Sequence, residues 1–188
     1  MASAGWSDGR RLVVGYVNGK VTSLQWRFLS PQGKSSAAAD LARLRRSASK
    51  EPGVSPEVWG VEFDGMPESL VGSGPEPSAG EWAVHIALTL YAIHQQSQTQ
   101  EMHRQHSAEH PSDIGNAVKI LSMHGAADTE ELEPGEMPRR FSAMVTGETI
   151  QEVAHYARQL VQQLRAKQIP IDYARLAGQL FDYQNPYR

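Results

Sequence analysis

The residues able to do chemistry in this chain are cations set at helical spacing, and the chemistry they suit is the holding of phosphates. In the stretch Ser36 to Lys50, Arg43, Arg46 and Lys50 fall within roughly 60° of one another on a helix, opposite an apolar face of Ala37, Leu41, Leu44 and Ala48. Arg45 lies at the edge of that face, where its stem packs while its head reaches water. Arg139 and Arg140 directly follow Pro138, which suits the first turn of a helix. Unpaired N–H groups and the positive dipole end gather there, so two arginines at that place make sense with an anion between them. Arg158 and Arg165, seven apart, share an edge of another helix, and Lys119 and Arg104 complete the candidate set. The other reading of each is a solvated helix face, or for Arg139 and Arg140 a salt bridge to the neighbouring acids.

The elements that must position these cations read as helices. Five alanines and two leucines favour helix between Ser36 and Lys50. Trp82, Ile86, Leu90 and Ile93 form a stripe widened by Ala83, Ala87 and Leu88, which predicts a central helix from Glu81 to Gln98. Pro111-Ser112 opens a helix with Ile114, Val118 and Leu121 on one side and Lys119 toward solvent. Thr149 to Lys167 is amphipathic, with Ile150, Val153, Ala157, Leu160 and Leu164 as its seam. Asp172 starts a last helix that turns Tyr173, Leu176, Leu180 and Phe181 inward. Between the basic and central helices, 51–80 reads as a long surface connection with one short helix after Ser55-Pro56, and Trp59 as its anchor to the core.

Residues 8–29 support two readings. Asn18-Gly19 between Leu12–Val17 and Val21–Leu24 is a local hairpin signal. A helix capped by Asp8 would instead gather Val13, Val17, Leu24 and Phe28, with Gly15 and Gly19 each weakening it by about 1 kcal/mol. Local chemistry alone favours the hairpin.

Composition narrows the class. There is no cysteine, so no disulfide framework, thiolate zinc site or cysteine nucleophile is expected. The nearly apolar run Trp82–Ile93 falls well short of the roughly 20 residues of a membrane span. No signal peptide pattern opens the chain, and a cytoplasmic protein without membrane contact is expected. The net charge of −3 hides a segregated distribution. Seven acids and no lysine or arginine lie between Glu51 and Glu81, and five more acids between Asp128 and Glu136. Positive islands flank them at Lys34–Lys50 and Arg139–Arg175.

No enzyme motif stands out. Gly72-Ser73-Gly74-Pro75 lacks the spacing and the Lys-Ser/Thr pair of a phosphate loop. No Gly-x-Ser-x-Gly elbow or His-Glu-x-x-His pair occurs, and no cofactor is expected. His103-x-x-His106, with His110 as a third ligand, is the one metal-like spacing; the alternative is a polar linker rich in histidine, like the neighbouring His94.

The ordered set Leu41-Ala42-Arg43-Leu44-Arg45-Arg46, Pro52, the Trp82–Tyr91 helix, Asn116–Leu121, Pro138-Arg139-Arg140-Phe141 and Ile171–Ala177 resembles the CasB family, the small subunit of the type I-E CRISPR Cascade complex. The likeness runs over residues 8–184. It implies an all-α fold of two packed helical bundles, here 1–98 and 111–188 joined by a polar linker at 99–110, and a helix rather than a hairpin over 8–29. It also implies a non-catalytic subunit that contacts guide RNA, target and displaced DNA strands, other Cascade subunits and a second copy of itself. By the same resemblance, Lys119, Arg139 and Arg140, with the Arg43-Arg45-Arg46 helix, match basic positions of the family. Members often carry a further basic, Trp-containing helix beyond the position where this sequence ends. The rival reading is a helical scaffold whose arginines touch only protein.

Overall fold

Val13, Val17, Val21 and Leu24 are buried along one side of a continuous first helix, α1 (Ala2–Leu29). The hairpin signal at Asn18-Gly19 is therefore overridden. Burying each of these side chains contributes about 1.5–3 kcal/mol, which outweighs the two glycines at about 1 kcal/mol each. Asp8 is not the cap but lies inside the helix, paired with Arg11. The computed structural model describes residues 2–125 and 136–185. The acidic loop expected from Asp128 onward falls outside those residues, except for Glu136.

Gly33 makes the turn into α2 (Lys34–Ser47), where an added Cβ would stand 2.9 Å from the Arg27 carbonyl. Ala37, Leu41 and Leu44 of α2 are buried as the spacing predicts. The 51–80 connection holds a 3-10 turn (Pro56–Val58), the short helix α3 (Trp59–Glu62) and a second 3-10 turn (Glu68–Leu70). Val58 and Leu70 are its apolar pegs. Trp59 is not the anchor: it is 51% exposed, with its indole N–H donated to the Gly53 carbonyl at 2.8 Å. Polar groups fasten the connection instead. The Tyr16 hydroxyl donates to the carbonyls of Glu62 and Asp64 at 2.8 and 3.0 Å, and the fully buried Glu62 carboxylate lies 3.0 Å from His85 Nδ1.

A capping box starts α4 (Ala79–His94): the Ser78 hydroxyl accepts from Glu81 N at 3.0 Å, and Glu81 accepts from Ser78 N at 2.7 Å. Every residue from Trp82 to His94 is buried, as expected of a helix packed by α1, α2 and two later helices. Those later elements are α5 (Ile114–Gly125), α6 (Glu136–Val145), α7 (Ile150–Ala166) and α8 (Tyr173–Tyr183). Thr149 and Asp172 cap α7 and α8. α8 crosses α1 closely enough that a Cβ on Gly178 would meet Val14 at 2.7 Å, and Trp6 stacks on Phe181 at 4.4 Å. One buried cluster runs from Val13 of α1 to Phe181 of α8.

Residues 99–110 are stitched into this body rather than left polar and free. Met102 and His103 are buried. Gln25 brackets His103 with two hydrogen bonds, donating to its carbonyl at 3.0 Å and accepting from its N–H at 2.9 Å. Residues 102–104 also exchange main-chain bonds with Ile171 at 3.1 and 3.2 Å. This isolated bridge is the only β pairing among the described residues, so the fold is all-α. Among them no helix is long and apolar enough to cross a membrane.

At the centre, His94 Nδ1 lies 2.8 Å from the hydroxyl of the buried Tyr173. Burial pushes the pKa of His94 down to about 3; the Leu164 carbonyl opposes the shift and the Arg165 cation adds to it. The unfolded chain takes up this proton near pH 6.5 and the folded protein does not. Stability is therefore full above pH 6.5 and falls as the pH drops from 6.5 towards 3, by about 1.4 kcal/mol per pH unit for this one group. Chemical denaturation of wild type beside His94→Gln should show the slope reduced by one proton in the variant.

Candidate nucleic-acid interface

The C-terminal end of α2 is approached by two basic side chains of α7, which mark the α2–α7 seam. Arg158 Nη2 donates to the carbonyl of Ala48, the C-cap residue of α2, although the two lie 110 residues apart in sequence. Two turns further along α7, about 10 Å, Arg165 stands close enough to Arg45 to act on its charge. Arg45 in turn donates to the Ala92 carbonyl at the end of α4 at 3.2 Å. Arg46 is exposed in the last turn of α2. Lys50 is exposed too but lies beyond the helix, which ends at Ser47 and not at Lys50 as the spacing predicts, so the two do not share a helical face.

The guanidinium groups of the seam are partly desolvated, and at Arg45 neighbouring like charges add to the cost. The pKa of Arg45 is lowered, first by burial and then by Arg165 and Arg46. That of Arg158 is lowered by burial, and its Nε is buried with no hydrogen-bond partner among the described residues. Crowded cations raise each other's energy, and a bound polyanion removes that penalty.

An amide strip continues the seam beyond α7. Arg165 donates to Gln96 at 2.9 Å, Gln98 donates to the Arg165 carbonyl at 3.3 Å, and Gln168 donates to Gln98 at 3.1 Å. Ser97 and Gln168 hold left-handed backbone, with φ of 62° and 56°, which non-glycine residues adopt uncommonly. Gln168 and Arg104 then line one crevice together. Hydrogen bonds and a shared crevice thus connect Arg165 to Gln96 and, through Gln98 and Gln168, to Arg104, while Arg158 reaches the C-cap of α2 and Arg165 and Arg46 act on Arg45 through their charge.

The remaining candidates are placed differently. Arg43 is half-buried and bound at 3.0 Å to Asp40, which also accepts from Arg27 at 3.1 Å, so its charge is offset. Lys119 is exposed and shares an apolar groove with Pro138 and Phe141, between α5 and α6. Arg139, exposed, and Arg140, half-buried, lie in sequence between the groove residues Pro138 and Phe141. These three stand on α5 and α6 rather than on α2 or α7, a separate part of the basic set.

Of the three histidines with metal-like spacing, His103 and His106 are hydrogen-bonded within the fold and His110 is exposed. Buried His103 accepts from Tyr173 N at its Nδ1, 3.2 Å away, and its Nε2 is 3.4 Å from Asn18 Oδ1. Burial lowers its pKa, which keeps it neutral. His106 Nδ1 accepts from Ser112 N at 3.2 Å. Among the described residues no group of three His, Cys, Asp or Glu is placed to hold a metal ion. The sequence reading missed the amide strip, whose only signal was the polar run His94–Gln100. It also missed the exposure of the aromatics: Trp26, like Trp59, faces solvent and is 69% exposed.

Comparison with known proteins gives two findings and one blank. The family model described as CRISPR-associated protein Cse2 matches residues 40–188. The chain is similar to CasB from Thermobifida fusca, with 31% identity and a TM-score of 0.71 over 94% of this chain and 90% of that chain. No curated protein sequence matches.

Proposed function

The chain belongs to the CRISPR-associated Cse2 family, which its likeness to CasB also supports, and from that premise we propose that it is a non-catalytic subunit of a CRISPR RNA-guided surveillance complex of the Cascade type. It binds nucleic-acid backbone without sequence preference and stabilises the opened duplex, including the displaced strand. Its partners are the guide RNA, the two DNA strands, other subunits and a second copy of itself. The observation that supports this is that α7 brings Arg158 to the C-cap of α2 and Arg165 within electrostatic reach of Arg45, two helices far apart in sequence, with Arg46 and Lys50 exposed at that end of the basic segment.

The physical role follows from a balance. Exchanging DNA–DNA for RNA–DNA pairing is nearly neutral in free energy, so contacts to phosphates can tip it. Cations on a rigid helical body hold phosphates without reading bases, and the resulting affinity falls with salt. Lys119, Arg139 and Arg140 form a second grip on the α5–α6 side.

The scaffold alternative draws on Arg43 and Arg158, which already serve intramolecular bonds. The two readings separate in the assembled complex. Reversing Arg46, Lys50 and Arg165 to Glu should leave assembly intact and shorten the lifetime of the opened DNA on a supercoiled target at least tenfold. An unchanged lifetime would leave the scaffold reading standing.

A further inference from the structure

Beyond the last arginine of the seam lies a crevice of about 320 Å³, lined by Leu29, Thr99, Glu101, Arg104, Gln168 and Pro170. That volume falls at the lower end of the range for small-ligand sites. Trp26 stands one turn before Leu29 on the same flank of α1, where side chains three apart are neighbours at about 5–6 Å, and it is the most exposed large apolar side chain among the described residues. Leaving an indole in water is unfavourable, and nothing within the fold explains its position.

Resting on the strand-binding reading above, we infer that this crevice is a nucleobase site: it receives one base of a single strand whose phosphates follow the α2–α7 seam, with Trp26 as the stacking wall.

Charge identifies the occupant. The crevice carries one guanidinium, Arg104, and one carboxylate, Glu101, so it is close to neutral where the seam is cationic. A second phosphate would be repelled by Glu101. A base suits it better, because the carboxylate accepts from an exocyclic amino group and the Gln168 amide both donates and accepts. Leu29 and Pro170 give the ring apolar contact, and Arg104 at the mouth takes the adjoining phosphate. The left-handed backbone at Ser97 and Gln168 shapes the amide strip that joins seam and crevice. Stacking on an exposed aromatic is the common second device of single-strand binders, and it tolerates any base.

The test uses the isolated full chain at low salt, with a fluorescein-labelled oligodeoxycytidylate and an abasic strand of the same length. Trp26→Ala should weaken binding of the oligodeoxycytidylate about tenfold and Trp26→Phe by less than about threefold, while the abasic strand binds all three proteins alike. No effect of Trp26→Ala, or equal weakening on both strands, would overturn the nucleobase site. So would a Trp26→Ala variant that binds strands normally but fails to join the complex, which would make this flank a protein-docking face. The Arg46/Lys50/Arg165 reversal is the separate control: it weakens both strands if the seam reading holds, and neither if that reading is the one in error.

Discussion

Reversing Arg46, Lys50 and Arg165 to Glu lowers the affinity of the isolated protein for single-stranded DNA at least a hundredfold at low salt. The expectation comes from counterion release. Each phosphate neutralised on a single strand contributes about 0.7 to the slope of log K against log salt, so three lost contacts flatten the slope by roughly 2. Reversal also adds repulsion where attraction stood. The fold should tolerate the change, because Arg46 and Lys50 are exposed and the Arg165 side chain makes one exposed bond, to Gln96. Fluorescence anisotropy across a salt series, with circular dichroism to check folding, measures both quantities. A slope equal to that of wild type would mean that the strand does not follow this seam.

How far the sequence revealed this arrangement depended on the range of the interaction. The α2 face was legible because Ala37, Leu41 and Leu44 obey helical spacing within a single segment. Burial of the whole of α4 was legible for the same reason, from a stripe apolar nearly all round. At Asn18-Gly19 the local signal pointed the wrong way. Its two residues favour a tight turn, but the side chain of Asn18 reaches Gln105 at 2.9 Å and the helix buries four apolar neighbours. No local rule contains that tertiary gain, and only the family resemblance supplied it.

Trp59 failed for a related reason. An aromatic in a polar connection suggests an anchor, yet the small groups Val58 and Leu70 fill the core and the indole spends its N–H on Gly53. The segment 99–110 read as free because its composition is polar, while its fixation comes from Gln25 and Ile171, 78 and about 70 residues away. The candidate cations were legible as a set, but not their partition. Nothing in the spacing says that Arg158 reaches Ala48, or that Asp40 offsets Arg43.

The segregated charge takes on meaning in this geometry. The acids of 51–81 follow directly on Lys50 in sequence, so the basic segment gives way at once to an acidic one. Glu51 and Glu57 are both exposed, and on the proposed reading they would repel a polyanion held by Arg165 and Arg46. Under the proposed function, that repulsion would confine the strand to the α7 side. It also requires the acidic connection to stay in place, and the polar fastening at Glu62 does that.

Removing His85 while leaving Glu62 should therefore be among the most destabilising single changes in the protein. Glu62 is fully buried, and among the described residues its carboxylate has His85 Nδ1 as its hydrogen-bond donor, at 3.0 and 3.1 Å from its two oxygens. His85→Leu strands the carboxylate without a donor in an apolar interior. Breaking one side of a buried pair typically costs about 3–5 kcal/mol. For a chain of this size that corresponds to a fall in Tm on the order of 10 °C. Glu62→Leu together with His85→Leu removes both polar groups and should recover most of the loss, since a packed apolar pair of similar volume is often neutral relative to the ionisable one. A double-mutant cycle by thermal and urea denaturation isolates the coupling. If the double variant is as unstable as the sum of the singles, the two side chains do not act as a pair, and the connection is held by Val58, Leu70 and Tyr16 alone.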